Sequence, residues 1–182
     1  IKKNRSLLDG RWDKNDTKDS ANVADLVAQG KCHYYDLPEL RLRDLRSLLL
    51  FRKRLKKQLH SCRVRIRNNL VAQYFPELDW FWNNAAAENL AIVRWFLDPG
   101  SIRQLSCEQF IVKVTTHNGG LRQQRRLQHI WEAAGQSIGC RPGLAMALEA
   151  ELVVEMLQSV QAQLSRVERD IQKIAEGFEE YD

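Results

Sequence analysis

The chain has 182 residues, 44% of them apolar, and carries a net charge of +5, so it can bury one good core or two small ones. No run of about 18 apolar residues exists to span a membrane, no secretory signal is present, and no Gly-rich phosphate loop, H-E-x-x-H or G-x-S-x-G occurs. Four scattered cysteines (Cys32, Cys62, Cys107 and Cys140) form no C-x-x-C pair and read as reduced cytosolic thiols, and the four histidines are equally dispersed, which argues against a zinc site.

Residues 1–15 are polar and basic and read as a loop or strand remnant broken by Gly10. From Asp16 onward, Ala21, Val23, Ala24, Val27 and Ala28 suit a short helix that Gly30 ends. Tyr34-Tyr35 fits an edge strand or a packed linker, and Asp36 and Pro38 fit a cap and a first turn. Residues 37–75 lack Gly and any proline after Pro38, and read as one long helix that Pro76 ends. Leu45, Leu48, Leu55, Leu59, Cys62, Ile66 and Leu70 keep a 3-4 spacing along it, interrupted by Arg52. Residues 77–141 break the pattern. Trp80, Trp82, Trp95 and Trp131 read as core, Asp98-Pro99-Gly100 as a turn, and 86–97, 106–115 and 120–138 as short helices. A second long helix covers 142–180, with Met146, Ala150, Val153, Leu157, Val160, Leu164, Val167, Ile171, Ile174 and Phe178 in unbroken heptad spacing.

The two long helices carry opposite charge. Residues 37–70 hold eleven Lys or Arg against Glu39 and Asp44, whereas residues 142–182 hold three basic residues against nine acids. Opposite fields favour their pairing, and the returning chain makes an antiparallel coiled-coil hairpin with a small helical insert the simplest mainly α topology. Two helices make a thin core, so a homo-oligomer through the same helices is also expected.

Asp16 and Asp19 stand three apart, on one helix face. Such a pair can ligate Mg²⁺ through hard oxygens, as two-metal nucleases require. It can equally be a helix cap and a first-turn acid that favour the dipole. The basic helix crowds Arg52, Lys53, Arg54, Lys56, Lys57, Arg63, Arg65 and Arg67 into a few turns. That stripe suits nucleic-acid phosphates, against the plainer reading of a solvated face paired with acids. "RQQRR", with Arg122, Arg125 and Arg126, is a second basic cluster that suits either surface or RNA contact.

"KNDTKDSANVADLVAQGK" resembles the K-x-D-x-x-D-A signature of the DEDD transposases of bacterial insertion sequences, the insertion sequence one-ten group of bridge-RNA-guided recombinases. "LRDLRSLLLFRKRLKKQLHSCRVRIRNNL" resembles that family's Arg-rich long helix. "FLDPGSIRQLSCEQF", "WEAAGQSIG" and "VQAQLSRVERDIQKI" resemble its later segments, so the likeness covers nearly the whole chain. The resemblance implies that residues 1–35 are the C-terminal end of an RNase-H-like, RuvC-like α/β domain and residues 36–182 the coiled-coil region. Asp16 and Asp19 would be the last two members of an Asp-Glu-Asp-Asp Mg²⁺ tetrad, and Lys14 a phosphate contact. Ser20 stands where many relatives carry Ala. The first Asp and the Glu would lie upstream of Ile1, and the domain with the serine nucleophile after Asp182, so this stretch alone is expected to be inactive. The whole enzyme would be a bacterial, cytoplasmic, nucleoid-associated transposase that breaks and rejoins DNA, with a structured guide RNA choosing the sites. The runner-up is a non-enzymatic helical hairpin that binds RNA or DNA through its basic helix.

Overall fold

The computed structural model describes residues 16–31, 37–83, 87–115, 117 and 120–178. These are mainly helical, with no strand among the described residues. None of the described helices is long and apolar enough to cross a membrane. The chain divides into two compact units, Ile1–Leu40 and Arg41–Asp182, with the boundary a few residues beyond the one expected after residue 35.

The first unit contributes one described helix, α1 (Asp16–Ala28). Gly30, at φ 65°, ends it as expected. Lys31 N–H reaches Leu26 O and Gly30 N–H reaches Val27 O, both at 3.0 Å, the paired closure of a Schellman motif. Ala21, Val23, Ala24, Val27 and Ala28 are exposed, while Asn22 is 1% exposed and Asp19, Asp25 and Leu26 are half-buried. The strand remnant at 1–15, the tyrosine pair and the Asp36 cap lie outside the described residues.

In the second unit, the helix expected over 37–75 is one rod of three parts: α2 (Leu40–Val64), a π-helical stretch (Arg65–Val71) and the short α3 (Ala72–Tyr74). Leu37, Pro38 and Glu39 precede it as non-helical chain, because proline disfavours the α conformation of the residue before it. The π stretch re-phases the buried stripe by one position, from Leu59, Cys62, Ile66 and Leu70 to Val71, Tyr74 and Phe75, which is what an inserted residue does. Pro76 opens a 3₁₀ turn (Pro76–Phe81).

The second long helix, α8 (Leu144–Ala175), lies antiparallel to this rod. Three contacts fix the direction: Arg41 Nη1 donates to Gly177 O at 3.2 Å, Arg52 Nε donates to Glu168 at 2.8 Å, and Arg65 pairs with Glu149. As numbering rises on α2 it falls on the partner. Ala150, Leu157, Val160 and Val167 are buried as the heptad spacing required. Val154 joins them, because α4 (Ala87–Trp95) packs on this stretch of α8 and widens its inward face. Packing thins away from the insert. Leu45, Leu48, Ile171 and Ile174 are only half-buried, and a cleft of about 490 Å³ opens beside Leu48 and Ile174.

The insert also holds α5 (Pro99–Arg103), α6 (Cys107–Val114) and α7 (Gly120–Ala134). Asp98 was expected in a turn and instead caps α5, accepting from Gly100 N at 2.9 Å. Ser106 and Gln109 form a capping box on α6. Ile92, Val93, Ile102, Phe110, Leu127 and Ile130 are buried, and Phe96 meets Phe110 edge-on at 5.6 Å. The tryptophans are corrected in part: Trp82 and Trp131 are half-buried, but Trp80 is 80% and Trp95 57% exposed.

The insert closes where "SIGC" crosses the end of α3. Glu77 is 8% exposed and accepts from Ser137 Oγ at 2.5 Å and Ile138 N at 2.9 Å. Cys140 N donates to Gln73 O at 3.0 Å. Between them Gly139 lies so close that a Cβ there would stand 2.0 Å from Tyr74 O.

Candidate nucleic-acid interface

On an α-helix each residue turns roughly 100°. Positions 43, 46, 50, 53 and 57 therefore form a stripe about 200° round from the inward positions 45, 48, 52, 55 and 59. Arg43, Arg46, Lys53 and Lys57 occupy that outer stripe, flanked by Arg54, and all five are exposed. None of them forms an ion pair or side-chain hydrogen bond with another described residue. Arg46 and Lys57 are separated by about 16 Å along the axis. The field of these cations reaches solvent uncancelled, the condition for attracting a polyanion.

The other cations singled out in the sequence divide sharply. Arg52 binds Glu168, and Lys56 lies 4.0 Å from the same carboxylate. Arg65 is taken by Glu149 and Arg67 by Asp79. Exposed ion pairs of this kind are individually weak, but they lower the free positive charge of that side of the rod. Arg63 is exposed and has no described partner. On α7, Arg122 and Arg125 are exposed without a described partner. Arg126 is different and leaves the surface cluster. Its side chain is 19% exposed and donates to Glu88 at 3.0 Å, Asn89 Oδ1 at 2.9 Å and Phe81 O at 3.3 Å.

Glu88 is 3% exposed and also accepts from Gln123. Burial pushes its carboxyl up, but the Gln123 amide, the Glu88 backbone N–H and the Arg126 charge together outweigh that and hold it below the ordinary range. Burial pushes the Cys62 and Cys107 thiols up, so neither is an activated nucleophile.

No family model, curated protein or solved structure matches this chain. The functional reading therefore rests on the residues and their placement.

The acidic pair sits at the start of α1. Asp16 opens the helix and Asp19 follows on the same face, half-buried, with the buried Asn22 three residues on. Asp19 has interactions of its own within the protein. Among the described residues no group of three or more His, Cys, Asp or Glu is placed to hold a metal ion. Two carboxylates offer hard oxygen donors suited to Mg²⁺ but make an incomplete cage. Lys14 lies outside the described residues. The sequence reading missed Arg43 and Arg46. The signal was present in "RLRDLRS", whose two arginines keep the spacing of Lys53 and Lys57.

Proposed function

We propose that this chain is part of a DEDD transposase of bacterial insertion sequences, and that the Arg41–Asp182 unit is its nucleic-acid-binding section. The observation that carries the binding role is the stripe of Arg43, Arg46, Lys53, Arg54 and Lys57, exposed and without described acidic partners. The family assignment rests on the motif order from "KNDTKDSANVADLVAQGK" to "VQAQLSRVERDIQKI". In this reading α2 and α8 are the two strands of an antiparallel coiled-coil hairpin, and the half-buried leucines and isoleucines of its thin end pack against a second copy. Asp16 and Asp19 would hold Mg²⁺ together with carboxylates from elsewhere in the complete RNase-H-like domain, and the ion would supply the Lewis-acid chemistry for breaking a DNA phosphodiester. DNA and a structured guide RNA are the partners, and the cations of α2 supply the sequence-independent part of their affinity. Arg126 has no place in that surface, since its donors are spent inside the insert.

The test of the binding role is salt dependence. Each Lys or Arg that neutralises a phosphate adds close to one unit to the slope of log affinity against log salt. Lys53→Ala, Arg54→Ala and Lys57→Ala combined are expected to lower that slope by about 2–3 units for structured RNA and DNA alike, with thermal stability unchanged. An unchanged slope means that this stripe holds no phosphates. The enzymatic part is tested separately. Asp16→Asn with Asp19→Asn in the complete transposase is expected to abolish transposition while RNA binding and folding persist. Transposition that survives both changes removes the metal assignment.

A second reading, a non-enzymatic binding hairpin, has one observation in its favour. The free cations lie in the Arg41–Asp182 unit and the acidic pair in the other, so binding requires neither aspartate. RNA binding by a protein whose transposition is indifferent to Asp16 and Asp19 would select it.

A further inference from the structure

The π-helical stretch borders a cleft of about 400 Å³ between the rod and the start of α8. Its lining is mostly polar and includes the half-buried Met146 and the largely buried Tyr74. The exposed side chains of Asn68, Asn69 and Gln73 contribute three primary amides. The Arg65–Glu149 ion pair borders it as well. None of the three amides hydrogen-bonds through its side chain to another described residue.

The backbone explains why the amides gather here. On an ideal α-helix residues 68 and 73 point about 140° apart. The π turn, in which Ala72 N–H reaches back five residues to Arg67 O, narrows that angle. Such turns recur where a helix must present side chains to a ligand. Each amide offers a paired donor and acceptor. That pairing matches the edge of a nucleobase, which Asn and Gln read two bonds at a time. The half-buried Met146 beside the amides offers an apolar contact for the face of the same flat ring.

We propose that this cleft takes one unstacked nucleobase of the nucleic acid held along α2. The inference rests on the nucleic-acid reading above and adds a base-sensing contact to it. Asn68 lies about 16 Å along the rod from Lys57, within reach of a few nucleotides of single strand, and the exposed Arg63 lies between. The cations of α2 would supply affinity that salt weakens, and the cleft a preference among bases that salt leaves alone.

Two measurements on the full chain test it. The first is fluorescence anisotropy with single-stranded oligomers of adenosine, cytidine and uridine across a salt series. The chain is expected to favour one of them by roughly 5- to 50-fold. Asn68→Ala, Asn69→Ala and Gln73→Ala combined are expected to erase that preference with the salt slope intact, whereas the Lys53, Arg54 and Lys57 variant keeps the preference and loses slope. Equal binding of the three oligomers, or a preference that survives the amide variant, overturns the cleft assignment and leaves the phosphate stripe standing. The second is a titration of the side-chain amide NMR signals of Asn68, Asn69 and Gln73 with the four nucleoside monophosphates. Shifts confined to these amides and Tyr74 support the cleft even for a chain that binds no oligomer, a result that would itself remove the nucleic-acid reading of α2. Signals unmoved by all four nucleotides overturn the cleft.

Discussion

Arg126→Ala is expected to destabilise the second unit by about 3–5 kcal/mol at pH 7, because it strands a buried carboxylate. Glu88 is 3% exposed, and Arg126 supplies both a hydrogen bond and the compensating charge. Asn89 and Phe81 O lose their donor in the same step, and unpaired buried acceptors add to the loss. The pH dependence of both variants follows from the Glu88 carboxyl. In the natural chain the Glu88 carboxyl is held below its ordinary value, so its contribution to stability is present above about pH 4.3 and fades as pH falls through the lower folded value. Without Arg126 one of the groups that lower the carboxyl is gone, so the folded variant binds a proton more readily than the folded natural chain. The gap between the natural chain and Arg126→Ala should therefore narrow on going from pH 7 to pH 4. Glu88→Ala strands the guanidinium, which no accessible pH neutralises, and it has no carboxyl to titrate, so its deficit narrows toward acid pH by what the natural chain loses as Glu88 takes up a proton. Urea denaturation of both variants at the two pH values checks this. A deficit under about 1 kcal/mol for both would mean that water replaces the lost partners.

Gly139→Ala is the second large effect, an expected loss of about 3 kcal/mol. The new methyl would overlap Tyr74 O, a backbone atom held in the helical rod. It cannot turn aside as a flexible side chain does. Relief requires the crossing segment to lift, and that segment carries Ser137 and Ile138 on Glu77 and Cys140 on Gln73. The comparison is Gly143→Ala, where a Cβ meets nothing within 4 Å. Thermal unfolding should separate the two variants by many degrees. Equal melting temperatures would show that the crossing is loose.

The long helices were legible because their burial is periodic. Leu55, Leu59, Cys62 and Ile66 on one side, and Ala150, Leu157, Val160 and Val167 on the other, bury as a 3-4 spacing requires. α1 was legible as a helix that Gly30 ends, but its small apolar residues lie all round it, so its inward face was not. Val23 and Val27 ended outside and Asn22 inside. Arg126 was grouped with its neighbours by charge alone. Its spacing from Leu127, Ile130 and Ala134, all buried, marks the inward face of α7 and distinguishes it from Arg122 and Arg125. Of the candidate site, helical spacing carries the free cations, Arg43 and Arg46 included, whereas the ion pairs that withdraw Arg52 and Arg65 depend on register against α8, and the one that withdraws Arg67 on how the chain turns back after Pro76 to bring in Asp79. Composition carries no information about register.

Because Cys140 returns to hydrogen-bond with Gln73, the polypeptide between them leaves and re-enters the long helices at a single point. Topologically it is a loop on a closed neck. Residues can be added to or removed from its far side without altering the register of α2 against α8, much as a bead can be exchanged on a string whose two ends are knotted together. Variation in length among chains of this architecture should therefore concentrate in the insert, and the neck itself should stay constant in length.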